Sequence, residues 1–175
     1  MTTRTPFIRA PLVRVLLAAA LGAGVTVADA ADAARQADVA RRGAEVMPFD
    51  LVRTTHVFTK TARGGTQRVV AKDAADTGQV RLVREHLHEI EDQFRRGDFS
   101  GPAKIHGESM PGLAELKAAP AGAVSIRYAD VKGGAMLTYS TADRHLVQAL
   151  HRWFDAQLDD HGHDAMAGHA HQGHR

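Results

Sequence analysis

The chain has 175 residues, with 22 Lys plus Arg against 20 Asp plus Glu, eleven His and no Cys. That length suits one modest domain with appendages, and the absent cysteine excludes both a disulfide framework and a thiolate metal site. The basic excess sits at the start: without Arg4, Arg9, Arg14 and Asp29, 19 basic face 19 acidic residues, so no basic stripe remains for a nucleic acid.

Residues 1–30 carry three Arg ahead of an apolar run from Val15 to Val27, closed by Ala28-Asp29-Ala30. A basic start, a short apolar stretch and a small-x-small site predict an export signal cut after Ala30, and thus a periplasmic or secreted protein. The apolar run is short for a membrane span, so no stable membrane insertion is expected after cleavage. Residues 31–45 are Ala-rich and charged without a sustained apolar stripe, which reads as a linker or a frayed helix.

From Val46 the pattern changes. "DLVRTTHVFTKT" and "TQRVVA" are strand-length and rich in β-branched residues, and they pair as a hairpin around Gly64-Gly65. Asp73, Asp76 and Thr77 offer caps for an amphipathic helix whose stripe is Val80, Val83, Leu87, Ile90 and Phe94. Residues 98–120 read as Pro-containing loops with a short helical turn at "GLAELKA".

"AVSIRY" and "AMLTYS" form a second hairpin around Gly133-Gly134. Thr141 and Asp143 then cap a last helix with the stripe Val147, Leu150, His151, Phe154 and Leu158. The repetition predicts an α+β domain over 46–160. It is a ββαββα pseudo-repeat, with a four-stranded antiparallel sheet and two helices on one face. A flexible His-rich tail, 161–175, follows.

Histidine carries the functional argument, because five of the eleven fall in the last fifteen residues. His151 replaces an apolar residue of the last stripe, His86 flanks the first, and His56 alternates with Val52 and Phe58 on a strand either of whose faces suits a core. His88 and His145 lie on polar helix faces and read as surface residues. The loop "IHGESMPGL" adds His106 and Met110, an imidazole and a thioether four residues apart.

Imidazole suits copper, zinc or nickel, and a thioether shifts the preference toward copper(I) or haem iron. The expectation is an exported copper-binding protein whose folded site draws on His56, His86, His106, Met110 and His151. His161, His163, His169, His171 and His174 gather ions in the tail, with His161 near enough the last stripe to join the folded site. Three alternatives stand beside it: haem held by His106 and Met110, a structural or partner-binding module whose histidines are satisfied core residues, and an enzyme using His106 with Glu108 as acid and base. Motifs for nucleophilic or zinc-protease catalysis are absent, so enzymatic activity is not expected.

The segments "THVF", "REHL", "RGDFS", "IHGESMPGL" and "HRWFDAQLDDHG" resemble, over about Val46 to Gly162, a group of small bacterial proteins often automatically named aspartate carbamoyltransferase. That name would imply carbamoyl phosphate chemistry. Proteins with that activity are much longer two-domain α/β chains with a Ser-Thr-Arg-Thr phosphate loop, where this chain offers Ser140-Thr141-Ala142-Asp143. The resemblance therefore implies a domain span and no activity.

Overall fold

A computed structural model describes residues 27–169. Most of the expected export signal, and the expected metal ligands His171 and His174, lie outside the described residues. In chain order the elements are α1 (Val27–Val46), β1 (Thr54–Thr61), β2 (Gly64–Ala71), α2 (Thr77–Arg95), α3 (Ser100–His106), α4 (Leu113–Ala118), β3 (Ser125–Val131), β4 (Gly134–Ser140), α5 (Arg144–His161) and β5 (Ala165–Ala167).

The sheet order is β3-β4-β2-β1-β5, antiparallel except for the β1–β5 pair, which is parallel. This corrects the expected architecture: the fold is α+β, but with a five-stranded mixed sheet and five α-helices among the described residues. Both anticipated hairpins and both amphipathic helices occur. The short turn expected at "GLAELKA" is α4; the additions are a fully formed α1, α3 and a strand donated by the chain after α5.

Two of these, α1 and the last strand, have a clear physical reason. The stretch expected to be a linker or frayed helix belongs to α1, which needs only a narrow contact face: Val39 and Gly43 are its buried residues. That face packs on α3 and α5. β5 is only three residues long, too short for an alternating pattern, yet Gly168 N–H extends its edge by donating to the Phe58 carbonyl at 2.8 Å. Among the described residues, no helix is long and apolar enough to cross a membrane.

Register determines which side chains enter the core. His56 pairs with Val69 and Val69 with Ala135, while Phe58 pairs with Gln67 and Gln67 with Leu137. Strand alternation therefore puts His56, Phe58, Gln67, Val69 and Leu137 on one face, the face that α2 and α5 cover. Phe58, Val69, Leu137 and Tyr139 are all buried there against Phe94, Trp153 and Phe154. Thr55, Arg68, Arg127 and Thr138 occupy the opposite, more open face.

Asp76 caps α2, its carboxylate accepting from Gln79 N–H at 3.2 Å. Asp143 does the same for α5, accepting from His145 N–H at 2.8 Å. Gly64 and Gly65 lie inside β2, one step beyond the turn at Ala62-Arg63. Gly65 serves contact instead, since an added Cβ would stand 2.5 Å from the Phe154 ring and 2.3 Å from the Thr59 carbonyl oxygen.

Gly112 has a related role with a further constraint. Its φ of +79° suits glycine, and a Cβ would stand 2.2 Å from the Ala149 carbonyl oxygen, which is backbone of α5 and cannot move aside. Gly112→Ala is expected to lower stability by roughly 2 kcal/mol or more, through strain added to overpacking. Urea unfolding checks this, and an unchanged midpoint contradicts the assigned contact.

Candidate functional site

Connections that look unremarkable in sequence bring distant imidazoles together. β1 carries His56 on the covered face, α2 carries His86 on its flank, α3 ends at His106 and α5 ends at His161. All four line one cavity of about 50 Å³. Its other walls are mainly apolar, with Met47 and Phe49 after α1, Leu87 and Ile90 from α2, and Trp153 from α5.

The His161 ring is central to the cluster. Its centre lies 5.0 Å from the His56 ring, with planes only 12° apart, and 5.1 Å from the His106 ring, which stands edge-on at 79°. Phe49 closes the other side, 5.9 Å from His56 and 5.6 Å from His86.

His106 is the oriented member. Its Nδ1 lies 2.7 Å from Asp160 Oδ2, and both side chains are buried. Arg35 of α1 grips the same carboxylate with two of its guanidinium nitrogens, at 2.6 and 2.7 Å, and donates to the His106 carbonyl at 3.1 Å. An Nδ1–H donated to the carboxylate fixes the tautomer that leaves Nε2 with its lone pair, the arrangement typical of a metal-ligating histidine backed by a carboxylate.

Burial disfavours the charged forms of three of these rings, His56, His86 and His161. Desolvation pushes the His56 pKa well below its ordinary value, assisted by the neighbouring imidazoles of His161, His86 and His106. Burial likewise lowers His86 and brings His161 down to about 4. For Asp160, burial raises the pKa, but hydrogen bonds from His106 and Arg35 outweigh it and keep the carboxyl ionised.

Among the described residues, two buried polar atoms on the cavity walls have no hydrogen-bond partner, His56 Nδ1 and Trp153 Nε1. Gln67, a third wall residue, uses its Oε1 to accept from the Tyr139 hydroxyl at 2.8 Å, which leaves the amide N–H groups.

The expected ligands divide into those that converge and those that do not. His56, His86, His106 and His161 share the cavity. His151 does not, because its Nε2–H is shared between the carbonyls of Thr61 and Gly64, at 3.0 and 2.9 Å. It ties α5 to the β1–β2 turn, a core role for a polar ring on an apolar stripe.

Met110 is buried but lines a separate polar cleft with Arg35, Gln36 and Asp160, because the Gly112 contact turns its segment toward the α1–α5 side. The thioether in the cavity is that of Met47, which no sequence pattern singles out. Glu108 points away from His106 into solvent, where it pairs with Lys117. His163 and His169 are exposed, and His163 stands 3.5 Å from Asp164.

Asp160, Arg35, Gln67 and Trp153 also escape sequence reasoning as site residues. Asp160 immediately precedes His161 in a run of polar residues, and nothing in that run separates it from the exposed Asp159 or marks it for burial.

No family model, no curated protein and no solved structure matches this chain. Among the described residues, no three His, Asp or Glu side chains are already set around a single point as metal ligands.

Two outcomes follow from this geometry. In chelator, acidification from pH 7 to 5 is expected to lower stability by about 2 kcal/mol on account of His161 alone. The unfolded imidazole, near its ordinary 6.5, takes up a proton that the native ring does not bind until about pH 4. Stability is therefore lost as pH falls, and an unfolding free energy that stays flat over this range contradicts the buried cluster.

Asp160→Asn removes the charge that Arg35 and His106 share and is expected to cost roughly 2–4 kcal/mol. Arg35→Ala is expected to cost less, about 1 kcal/mol, because that side chain is 47% exposed. Denaturant curves of the two variants check the ordering; equal costs would mean that His106 gains nothing from Asp160.

Proposed function

We propose that the chain binds a transition-metal ion, copper in the first place, through the imidazoles of His56, His106 and His161, with His86 and Met47 at the wall of the same cavity. The single observation that carries this reading is the spacing of the rings. With metal–nitrogen bonds of about 2.0–2.1 Å, two imidazoles on one tetrahedral ion hold their centres about 5 Å apart, and His161 stands at 5.0 and 5.1 Å from its two neighbours.

Three further features agree. A ligating imidazole must be neutral, and burial disfavours the protonated forms of His56 and His161. Asp160 backs His106 through Nδ1, the ring nitrogen that the ion does not need. Nitrogen donors favour copper(II) over nickel or zinc, and a thioether such as that of Met47 suits copper(I) as well.

Capture involves turning rings, since the nitrogens do not yet converge. His161, at the end of α5, is the ring that the other two share as neighbour. The reading extends to an exported protein whose exposed His163 and His169, with His171 and His174 beyond, gather ions for the folded site.

The experiment uses Trp153, the one tryptophan of the chain and a wall residue of the cavity. Copper(II) is titrated into full-length protein in which His163, His169, His171 and His174 are replaced by Gln. Trp153 fluorescence is expected to quench with saturation at one ion per chain, and His106→Ala or His161→Ala to weaken that binding at least tenfold. If the tail substitutions alone abolish quenching, the folded site is rejected.

A further inference from the structure

We infer that the cavity binds a small uncharged aliphatic carbonyl compound, its oxygen on Trp153 and its chain leading out to solvent between α1, α2 and α3. Binding of this kind needs no ion and is independent of the metal reading.

The cavity opens on one side. Val46 at the end of α1, His86 and Ile90 of α2 and Gly101 of α3 line both the cavity and a surface cleft of about 450 Å³. All four are partly exposed, so a molecule can enter along them.

Two donors on the walls call for an acceptor. Trp153 Nε1–H can only donate, it has no partner among the described residues, and the side chain is 1% exposed. Gln67 has amide N–H groups to give, because its oxygen accepts from the Tyr139 hydroxyl. The Tyr139 ring, 5.7 Å from that of Trp153, makes the two donors neighbours. A carbonyl oxygen, with two lone pairs and no proton, can accept from both and relieve the cost of leaving a buried donor unmet.

The remaining walls decide what the oxygen is attached to. Phe49, Leu87, Ile90 and Phe94 present hydrocarbon. The cavity holds about 50 Å³, against the about 150 Å³ of an engineered cavity that takes benzene, so a narrow alkyl chain fits where a ring does not. The rest of the chain lies in the cleft.

Charge excludes the corresponding acid. No Asp, Glu, Lys or Arg among the described residues lines the cavity, and Glu45 and Glu89 outnumber Lys104 on the cleft. A carboxylate would pass a negative mouth and then be desolvated without a cation.

The test uses methyl pentyl ketone as probe, with isotope-labelled full-length protein in chelator. Trp153 is the one tryptophan of the chain, so its indole N–H gives a single side-chain resonance in proton–nitrogen NMR spectra. That resonance is expected to move downfield with saturation, with nuclear Overhauser contacts between the ketone chain and the Ile90 methyls. Hexanoate is expected to bind at least tenfold more weakly. Gly101→Leu plugs the mouth, and the helix tolerates it because a Cβ at Gly101 meets no atom within 4 Å. This variant is expected to weaken the ketone at least tenfold while the rest of the spectrum is retained.

An indole resonance that the ketone does not move means that water alone satisfies the donor, and overturns the inference. Hexanoate binding as tightly as the ketone, or an affinity that Gly101→Leu leaves unchanged, overturns it too. Should that variant not fold, the contacts to Ile90 in the parent protein decide: their absence sinks the proposal. With metal ions held by the chelator, none of these outcomes bears on copper binding.

Discussion

The buried carboxylate of Asp160 is the interaction on which the site depends. It is held by Arg35 from α1 and by His106 from α3, while itself belonging to α5. Three helices are thereby tied at one charge. Replacing either partner would leave that charge underpaired, which is why His106 has a defined orientation within a cavity otherwise made largely of hydrocarbon. A buried ion pair of this kind does little for net stability, but it specifies one arrangement over its alternatives.

From that tie the rest of the site follows. With α1 anchored across α3 and α5, the segment after it brings Met47 and Phe49 over the sheet, so His56 is enclosed. Enclosure lowers the basicity of His56, His86 and His161. The His161 ring then stands 5.0 Å from the His56 ring and 5.1 Å from that of His106. The loop after α3 does something different. Gly112 seats it against the α5 backbone, and Met110 becomes part of the packing around Arg35 and Asp160.

Much of this is legible in the sequence, and the gaps have specific causes. Alternation and helical stripes mark both hairpins, α2 and α5, since each buries a wide apolar face. α1 is obscured because a helix that packs by Val39 and Gly43 alone has almost no stripe. β5 is obscured because three residues cannot display a period. Among the site residues, His56, His86, His106 and His161 do meet in one cavity. His151 illustrates the ambiguity of a polar ring on an apolar stripe: backbone carbonyls of a turn 87 to 90 residues away satisfy it, and no local pattern reveals them. Met110 and Met47 are chemically equivalent, and only the tertiary path of the chain decides which sulfur faces the rings. Asp160 is hidden for the same reason, since its partners lie 54 and 125 residues away.

The central claim, that His56, His106 and His161 gather around one ion, is met most directly by crystals of the full-length protein carrying one equivalent of copper, with data collected on both sides of the copper absorption edge. The account predicts a single anomalous peak inside the cavity, within bonding distance of nitrogens from those three rings. A peak only among the exposed tail histidines, or an empty cavity with the rings stacked as before, would contradict it.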